Sequence, residues 1–451
     1  MKKQGSKQGK FKVYFETYGC SANFNNTELM MGLLVRNGFL IVDNPKSADV
    51  LVINTCIVKS PTETKMWNRI KQLYALKKPL VITGCMPEVY KDKIIKQYPR
   101  AFLVGPRRIT EISRVVNLAL EDSRLEVPEQ ERVFLGKEKL IKLGIPRINK
   151  NKVIAIIQIS DGCLGSCSYC SVKLAKGSLF SYPLERIVDE VRKVVNDGVK
   201  EIWLTSQDNS AYGVDFSSSK KSKLPQLLKS ITKVKGYFRV RVGMMNPNFI
   251  LPVLDDLINA FSSKKIFKFI HIPVQSGNNR ILKLMRREYS VSDFKRIIDA
   301  FRQEFKRISL STDVICGFPT ETEKEFLDTV RLIKEVKPDV LNISRFWARP
   351  YTQASKLKQT PGFVIKQRSR LMTQIFNKIS LEKNKEWLGW QGSVLIDEFN
   401  KKNKSFIGRN YAYKPIVILG NNKNLVLGDK VRVKITDYTT HDLRAKLKNE
   451  S

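Results

Sequence analysis

The sequence predicts an α/β protein in three parts. These are an N-terminal α/β domain with a parallel sheet over residues 1–121, a central open (β/α)6 barrel (a partial TIM barrel) over 153–388, and a small C-terminal β-barrel over 389–451, with a linker at 122–152. Three observations carry this reading. Strand-sized apolar runs alternate with amphipathic helix-length stretches up to Leu120, the pattern of a parallel α/β sheet. A second alternation of six strand and helix units starts at Val153. After Gln391 the texture becomes short strands separated by Asn, Lys and Gly turns. At roughly 150 residues per domain, 451 residues also suggest about three domains.

In the first part, strands are expected at Val13 to Thr17, Val50 to Asn54, Leu80 to Thr83 and Phe102 to Val104, with helices at Glu28 to Asn37, Glu63 to Leu76, Pro87 to Gln97 and Ile109 to Leu120. Charge, Pro128 and Pro146 mark 122–152 as a linker. Barrel strands are expected at Ile154 to Ile159, Glu201 to Thr205, Arg239 to Gly243, Phe267 to Pro273, Ser311 to Cys316 and Leu341 to Phe346. In the last part they are expected at Ser393 to Asp397, Phe406 to Arg409, Ile416 to Leu419 and Lys430 to Asp437.

Lys plus Arg number 80 against 43 Asp plus Glu, a formal charge of +37, which implies a polyanionic partner: nucleic acid or an anionic membrane surface. No run approaches the roughly 18 apolar residues of a membrane span, and Met1 to Lys12 lacks the apolar core of a secretory signal, so a cytoplasmic protein without membrane attachment is expected. Seven cysteines do not make a disulfide framework in a chain of this size. They fall as Cys20, Cys56 and Cys85, then Cys163, Cys167 and Cys170, with Cys316 apart.

Cys163, Cys167 and Cys170 lie in the run CLGSCSYC directly after the first barrel strand, where a tight loop can converge three thiols. Structural zinc takes four protein ligands, and no histidine or fourth cysteine is near; His271 and His441 are remote. Three thiolates on a cubane cluster leave one iron open to a chelating substrate or cofactor. Cys20, Cys56 and Cys85 each follow an expected strand by two or three residues, which puts all three on the carboxyl edge of the first sheet, where ligands of open α/β sheets bind. Buried structural thiols are the alternative for this second set.

The CxxxCxxC motif at the mouth of six strand and helix units resembles the radical S-adenosylmethionine superfamily. The resemblance implies a [4Fe-4S] cluster on Cys163, Cys167 and Cys170, with the cofactor chelating the open iron and being cleaved to a deoxyadenosyl radical. Tyr169 matches the aromatic position near the adenine. Ser206, Gln207 and Asp208, ending the second barrel strand, match the position contacting the methionyl amino group. Gln275, after the fourth strand in HIPVQSG, resembles the ribose segment, and Arg349, after the sixth, matches an arginine facing the site. Cys316 stands where an aliphatic residue is usual and is read as core.

Three spread cysteines, a radical motif and a basic β-barrel, in that order, resemble the methylthiotransferase family, and the last part is similar to its TRAM RNA-binding domain. The runs TYGCSAN around Cys20 and NTCIVKSPTE around Cys56 resemble the archaeal and eukaryotic branch acting on N6-threonylcarbamoyladenosine of tRNA, beside the anticodon. That implies two [4Fe-4S] clusters, the second on Cys20, Cys56 and Cys85; S-adenosylmethionine as radical source and methyl donor; the tRNA anticodon stem-loop as partner; and an electron-donor protein and a sulfur source. The product is a methylthio group on C2 of the adenine. No general acid or base is assigned, because an aromatic C–H offers no useful acidity. Two departures from the family pattern are Asn26, usually Asp, and Tyr351, usually Gly after Arg-Pro. The same chemistry on another tRNA adenosine or on a ribosomal protein, and a non-catalytic metal-containing RNA-binding protein, are the alternatives.

Overall fold

In a computed structural model of the chain, residues 11–57, 60–121, 127–216, 218, 220–420 and 424–448 are described. The first ten residues of the expected N-terminal domain, Val58 and Lys59 of the Cys56 run, the opening of the expected linker at 122–126, and the last three residues lie outside them.

The chain divides into two compact units, Met1–Lys150 with Ser171–Ser178, and Asn151–Cys170 with Leu179–Ser451. In the first, β1 (Lys12–Thr17), α1 (Ser21–Arg36), β2 (Leu40–Val42), β3 (Val50–Thr55), α2 (Ser60–Tyr74), β4 (Leu80–Gly84), α3 (Cys85–Gln97), β5 (Phe102–Val104), α4 (Ile112–Glu121) and β6 (Val133–Phe134) follow in order. They build an all-parallel sheet of order β2-β1-β3-β4-β5-β6. Alternate side chains of the fully buried central strands serve two cores. Val50, Val52, Val81 and Phe102 pack under α1 and α4, while Leu51, Ile53, Ile82 and Leu103 pack under α2 and α3.

Three features differ from the sequence expectation. Helix α1 begins at Ser21 and not Glu28, because Asn23, Asn25 and Asn26 are buried in its first turns instead of forming a loop. The expected linker contributes β6, which pairs with β5, so part of 122–152 belongs to this sheet. Ser171–Ser178, with α5 (Val172–Lys176), also joins this unit; Arg107 donates from Nη2 to the Ser178 carbonyl at 2.8 Å, and Ala175 lies in the α2–α3 core.

The second unit opens with β7 (Ile154–Gln158) and the short β8 (Ser160–Asp161) and β9 (Phe180–Ser181). It continues through α6 (Leu184–Asn196), β10 (Glu201–Thr205), α7 (Leu224–Thr232), β11 (Arg239–Val242), α8 (Pro247–Ile250), α9 (Leu254–Phe261) and β12 (Phe269–His271). Then come α10 (Asn279–Leu284), α11 (Val291–Glu304), β13 (Ser309–Cys316), α12 (Glu323–Val336) and β14 (Val340–Arg345). Two three-stranded parallel sheets, β7-β10-β11 and β12-β13-β14, meet at a parallel bridge between Val240 and Ile266, and β7 and β14 are the open edges. This is the expected open six-stranded barrel. Capping boxes start two of its helices, Ser290 with Asp293 on α11 and Thr322 with Glu325 on α12.

After α13 (Gly362–Lys385) the chain forms β15 (Gln391–Asn400), β16 (Ser405–Arg409), β17 (Pro415–Leu419), β18 (Lys430–Tyr438) and β19 (Leu443–Leu447). They close a barrel of order β15-β16-β17-β19-β18 around Val394, Ile396, Ile416, Val433 and Leu443. The closing strand β19 is not among the expected strands, although Leu443 and Ala445, alternating with Arg444 and Lys446, turn into the barrel core. Among the described residues, no helix is long and apolar enough to cross a membrane.

Candidate metal centres and cofactor site

In the first unit β1, β3 and β4 are sheet neighbours, so the residues that follow them meet at one edge. Cys20 is the N-cap of α1, Cys56 directly follows β3, and Cys85 is the first residue of α3, directly after β4. The loops interlock through main-chain acceptors. Asn23 donates from Nδ2 to the Tyr18 and Thr55 carbonyls at 2.9 and 2.8 Å, and Thr55 Oγ1 donates to the Thr83 carbonyl at 2.6 Å. Close approach requires glycine at two points. A Cβ on Gly19 would lie 2.7 Å from Cys56 Cβ and 2.9 Å from its sulfur, and one on Gly84, at φ +91°, would lie 2.3 Å from the Thr55 carbonyl oxygen. Cys20 is exposed, while Cys56 and Cys85 are buried. Cys20 and Cys85 sit at helix N-termini.

In the second unit, Cys163, Cys167 and Cys170 lie on the loop beyond β7 and β8 and are half-buried. The loop is pinned from two sides. Ser168 donates from its amide to the Met285 carbonyl at 3.0 Å and from Oγ to the Leu284 carbonyl at 2.7 Å, and it accepts from the Ala354 amide at 2.8 Å. Tyr169 packs edge-on to Phe318, with centroids 6.4 Å apart, in a cluster with Ile281, Met285 and Phe346. Gly165 lets the loop turn between two sulfurs: a Cβ there would stand 3.3 Å from Cys163 Sγ and 3.6 Å from Cys167 Sγ. Burial, with Asp208 nearby, pushes the Cys163 thiol up to about 12, so loading a metal releases a proton.

Among the described residues no three His, Cys, Asp or Glu side chains are gathered closely enough to hold a single metal ion. A cubane places its protein ligands on different irons, so its thiols stand apart by the width of the cluster, and a set of three thiols on converging loops suits it. Polar strand ends face the same mouth. Gln158 Oε1, Ser206 Oγ and Gln207 Oε1 are shielded from water yet have no hydrogen-bond partner within the protein, which is what a site for a polar cofactor requires. Gln275, held at φ +68°, bridges β13: its amide donates to the Asp313 carbonyl at 2.8 Å and its carbonyl accepts from the Ile315 amide at 2.9 Å. Arg349 is buried beyond β14.

Asp208 uses its carboxylate inside the protein. Oδ1 accepts from the Ser210 amide (3.0 Å), Ser210 Oγ (2.5 Å) and the Asn246 amide (3.2 Å), while Oδ2 accepts from Asn246 Nδ2 (2.6 Å). Asn246 Oδ1 in turn accepts from Arg287 Nη2, and Arg287 Nη1 donates to Cys167 Sγ at 3.2 Å. Arg287 Nε donates to Tyr289 OH at 3.0 Å. Sequence reasoning missed Asn246 and Arg287. Both come from loops remote in sequence from the cysteines, and the one usable signal was their position after β11 and after α10.

His271 Nε2 lies 2.7 Å from Asp313 Oδ2, His441 is exposed on the terminal barrel, and Cys316 is buried at the end of β13, its thiol pushed up to about 12 by burial. Of the two departures, Asn26 is fully buried with neither amide atom hydrogen-bonded, and Tyr351 adopts φ +64°, a conformation that suits the glycine usual there.

An open six-stranded parallel barrel with three thiols on the loop leaving its first strand, facing unpaired polar groups on the strand ends, defines a radical S-adenosylmethionine enzyme. Residues 157–333 match the Radical SAM superfamily, residues 12–105 match "Uncharacterized protein family UPF0004", and residues 392–448 match the TRAM domain. A "Probable threonylcarbamoyladenosine tRNA methylthiotransferase" of Pyrococcus horikoshii is 42% identical over 89% of this chain and 92% of its own. The protein of that name from Archaeoglobus fulgidus is 40% identical over 94% and 96%. The "Threonylcarbamoyladenosine tRNA methylthiotransferase" of Homo sapiens is 34% identical over 96% and 73%. The chain belongs to this threonylcarbamoyladenosine tRNA methylthiotransferase family. Among solved structures, the radical S-adenosylmethionine methyltransferase TsrM of Kitasatospora setae, with cobalamin and a [4Fe-4S] cluster bound, shares the fold at TM-score 0.55 and 16% identity, over 76% of this chain and 77% of that one.

Proposed function

We propose that this chain places a methylthio group on C2 of N6-threonylcarbamoyladenosine in the anticodon stem-loop of tRNA. We propose further that it uses two [4Fe-4S] clusters, one on Cys163, Cys167 and Cys170 and the other on Cys20, Cys56 and Cys85. The observation that carries this reading is the pairing, in one chain, of two sets of three cysteines, each at the carboxyl edge of its own parallel sheet. A cluster with an open iron, when bound with S-adenosylmethionine, supplies the electron that opens the sulfonium to a carbon radical.

The chain's own residues hold and shield. Tyr169 closes the apolar wall, Ser206 and Gln207 offer polar atoms that lack partners within the protein, and Gln275 and Arg349 border the strand ends. Asp208 acts on the site by fixing the loop that carries Ser206 and Gln207 and, through Asn246, Arg287. No proton transfer to or from C2 is assigned, in keeping with His271 held by Asp313 and His441 on the surface. An electron-donor protein, a sulfur source and a cytoplasmic setting belong to the same reading. Anaerobic iron and sulfide analysis with Mössbauer spectroscopy tests it: about eight irons in two cubanes are expected. About four irons would remove the second cluster, and zinc in place of iron would end the enzymatic reading.

A further inference from the structure

The loop after β14 runs between two buried anchors. Phe346 packs with Met285 and Phe318, in the cluster that Tyr169 also joins, and its amide donates to the Cys316 carbonyl at 2.9 Å. Ala354, in the same cluster, donates from its amide to the Ser168 carbonyl, between Cys167 and Tyr169. The loop is therefore fastened to the cysteine loop. Its turn is closed by two hydrogen bonds: the Arg349 carbonyl accepts from the Thr352 amide at 3.3 Å and from Thr352 Oγ1 at 2.7 Å.

While Arg349 is buried, the aromatic residues on either side of it point outward. Trp347 is 62% exposed and Tyr351 is 79% exposed. Tyr351 is held at φ +64°, a left-handed conformation that a tyrosine adopts only under strain. Two large aromatic side chains are thus displayed to solvent on a loop fastened to the cysteine loop, free to take an occupant of matching chemistry. From Arg345 to Thr360 there is no Asp or Glu, whereas Arg345, Lys356 and Lys358 are cationic, so the segment suits a partner carrying phosphates. An enzyme acting on C2 of a nucleobase must also draw that base out of its stack, and the neighbouring bases of a single-stranded loop are read by stacking on exposed aromatics.

We infer that Trp347 and Tyr351 form a stacking platform for the bases flanking the reacting adenine. The inference rests on the tRNA reading above. The test uses the full-length reconstituted protein and an anticodon stem-loop RNA with 2-aminopurine in place of a base adjoining the target adenosine. Binding and aminopurine quenching are followed together, and deoxyadenosine formation is measured without RNA.

Trp347→Ala and Tyr351→Ala are each expected to weaken binding about tenfold, the scale of one lost base stack, and to relieve most of the quenching. Trp347→Phe and Tyr351→Phe should retain both, and the RNA-free reaction should stay within twofold of the unaltered protein. Lys356→Ala should instead lower the salt dependence of binding, as loss of a phosphate contact does. Alanine variants that bind and quench like the unaltered protein overturn the platform while leaving the tRNA reading in place. Alanine variants that lose the RNA-free reaction show that the residues serve the protein's own site, and overturn it too. An unaltered protein that does not bind the stem-loop overturns both.

Discussion

Replacing Asp208 by alanine isolates the part played by one buried carboxylate. Asp208, Ser210 and Asn246 are all buried, and the carboxylate takes hydrogen bonds from four donors. Ser210 Oγ keeps a partner in the Asn246 carbonyl at 3.2 Å, and the Asn246 amide keeps one in Ser210 Oγ at 2.8 Å. The Ser210 amide and Asn246 Nδ2 lose theirs. Two orphaned buried donors at about 1–3 kcal/mol each give a local loss near 4 kcal/mol. Amide exchange in the segments 205–211 and 244–247 should then quicken by about a thousandfold, at 1.36 kcal/mol per decade. Because Asn246 also holds Arg287 beside Cys167, deoxyadenosine formation should fall with it. Asp208→Asn faces the Asn246 amide with a second NH2, and the exchanged pair Asp208→Asn with Asn246→Asp restores an acceptor opposite a donor, so the double variant should recover protection. Exchange within tenfold of the unaltered protein in Asp208→Ala would refute the anchoring role.

Other expectations follow from the same geometry. Substituting Cys20, Cys56 and Cys85 together by alanine should leave cofactor cleavage and abolish thiolation, while substituting Cys163, Cys167 and Cys170 should abolish both, as read by deoxyadenosine and by nucleoside analysis. Gly84→Ala forces a Cβ against the Thr55 main chain at φ +91° and should lower the iron content, whereas Gly38→Ala, at φ +87° with open space around it, should cost only about 1–2 kcal/mol and leave iron unchanged. Glu201 is buried with Asp397 near it, which raises its carboxyl to about 7 from 4.5. A raised carboxyl costs stability once it must ionise, so unfolding should become easier as pH rises from about 4.5 to about 7. Glu201→Gln, which keeps an oxygen for the Trp203 and Tyr413 donors, should reduce that slope in pH-dependent melting, the remainder coming from Asp397, itself raised by burial. Deleting residues 391–451 should weaken tRNA binding and flatten its salt dependence.

Much of this architecture was legible because fully buried parallel strands are written as continuous apolar runs; Val50 to Asn54 and Glu201 to Thr205 needed no further context. The placement of Cys20, Cys56 and Cys85 was legible for a related reason. Each follows such a run, and strand ends on one edge of a parallel sheet converge. Short pieces were not legible: β2 and β6 have three and two residues, too few for any period, and exist only through pairing with β1 and β5. The first turns of α1 were hidden because Asn23 to Asn26 look like loop residues, yet Asn23 is buried by bonding the carbonyls of Tyr18 and Thr55. The return of Ser171–Ser178 to the N-terminal unit rests on contacts with Arg107 and α3 that no local pattern records. Arg287 was invisible in the same way, since what marks it is a distance to Cys167 and not a motif.

One product decides the function. Transfer RNA carrying N6-threonylcarbamoyladenosine, incubated anaerobically with the reconstituted protein, S-adenosylmethionine, sulfide and a reductant, should yield on digestion a nucleoside heavier by one CH2S unit, with the added group at C2. Formation of deoxyadenosine with that nucleoside left unchanged would contradict the assignment.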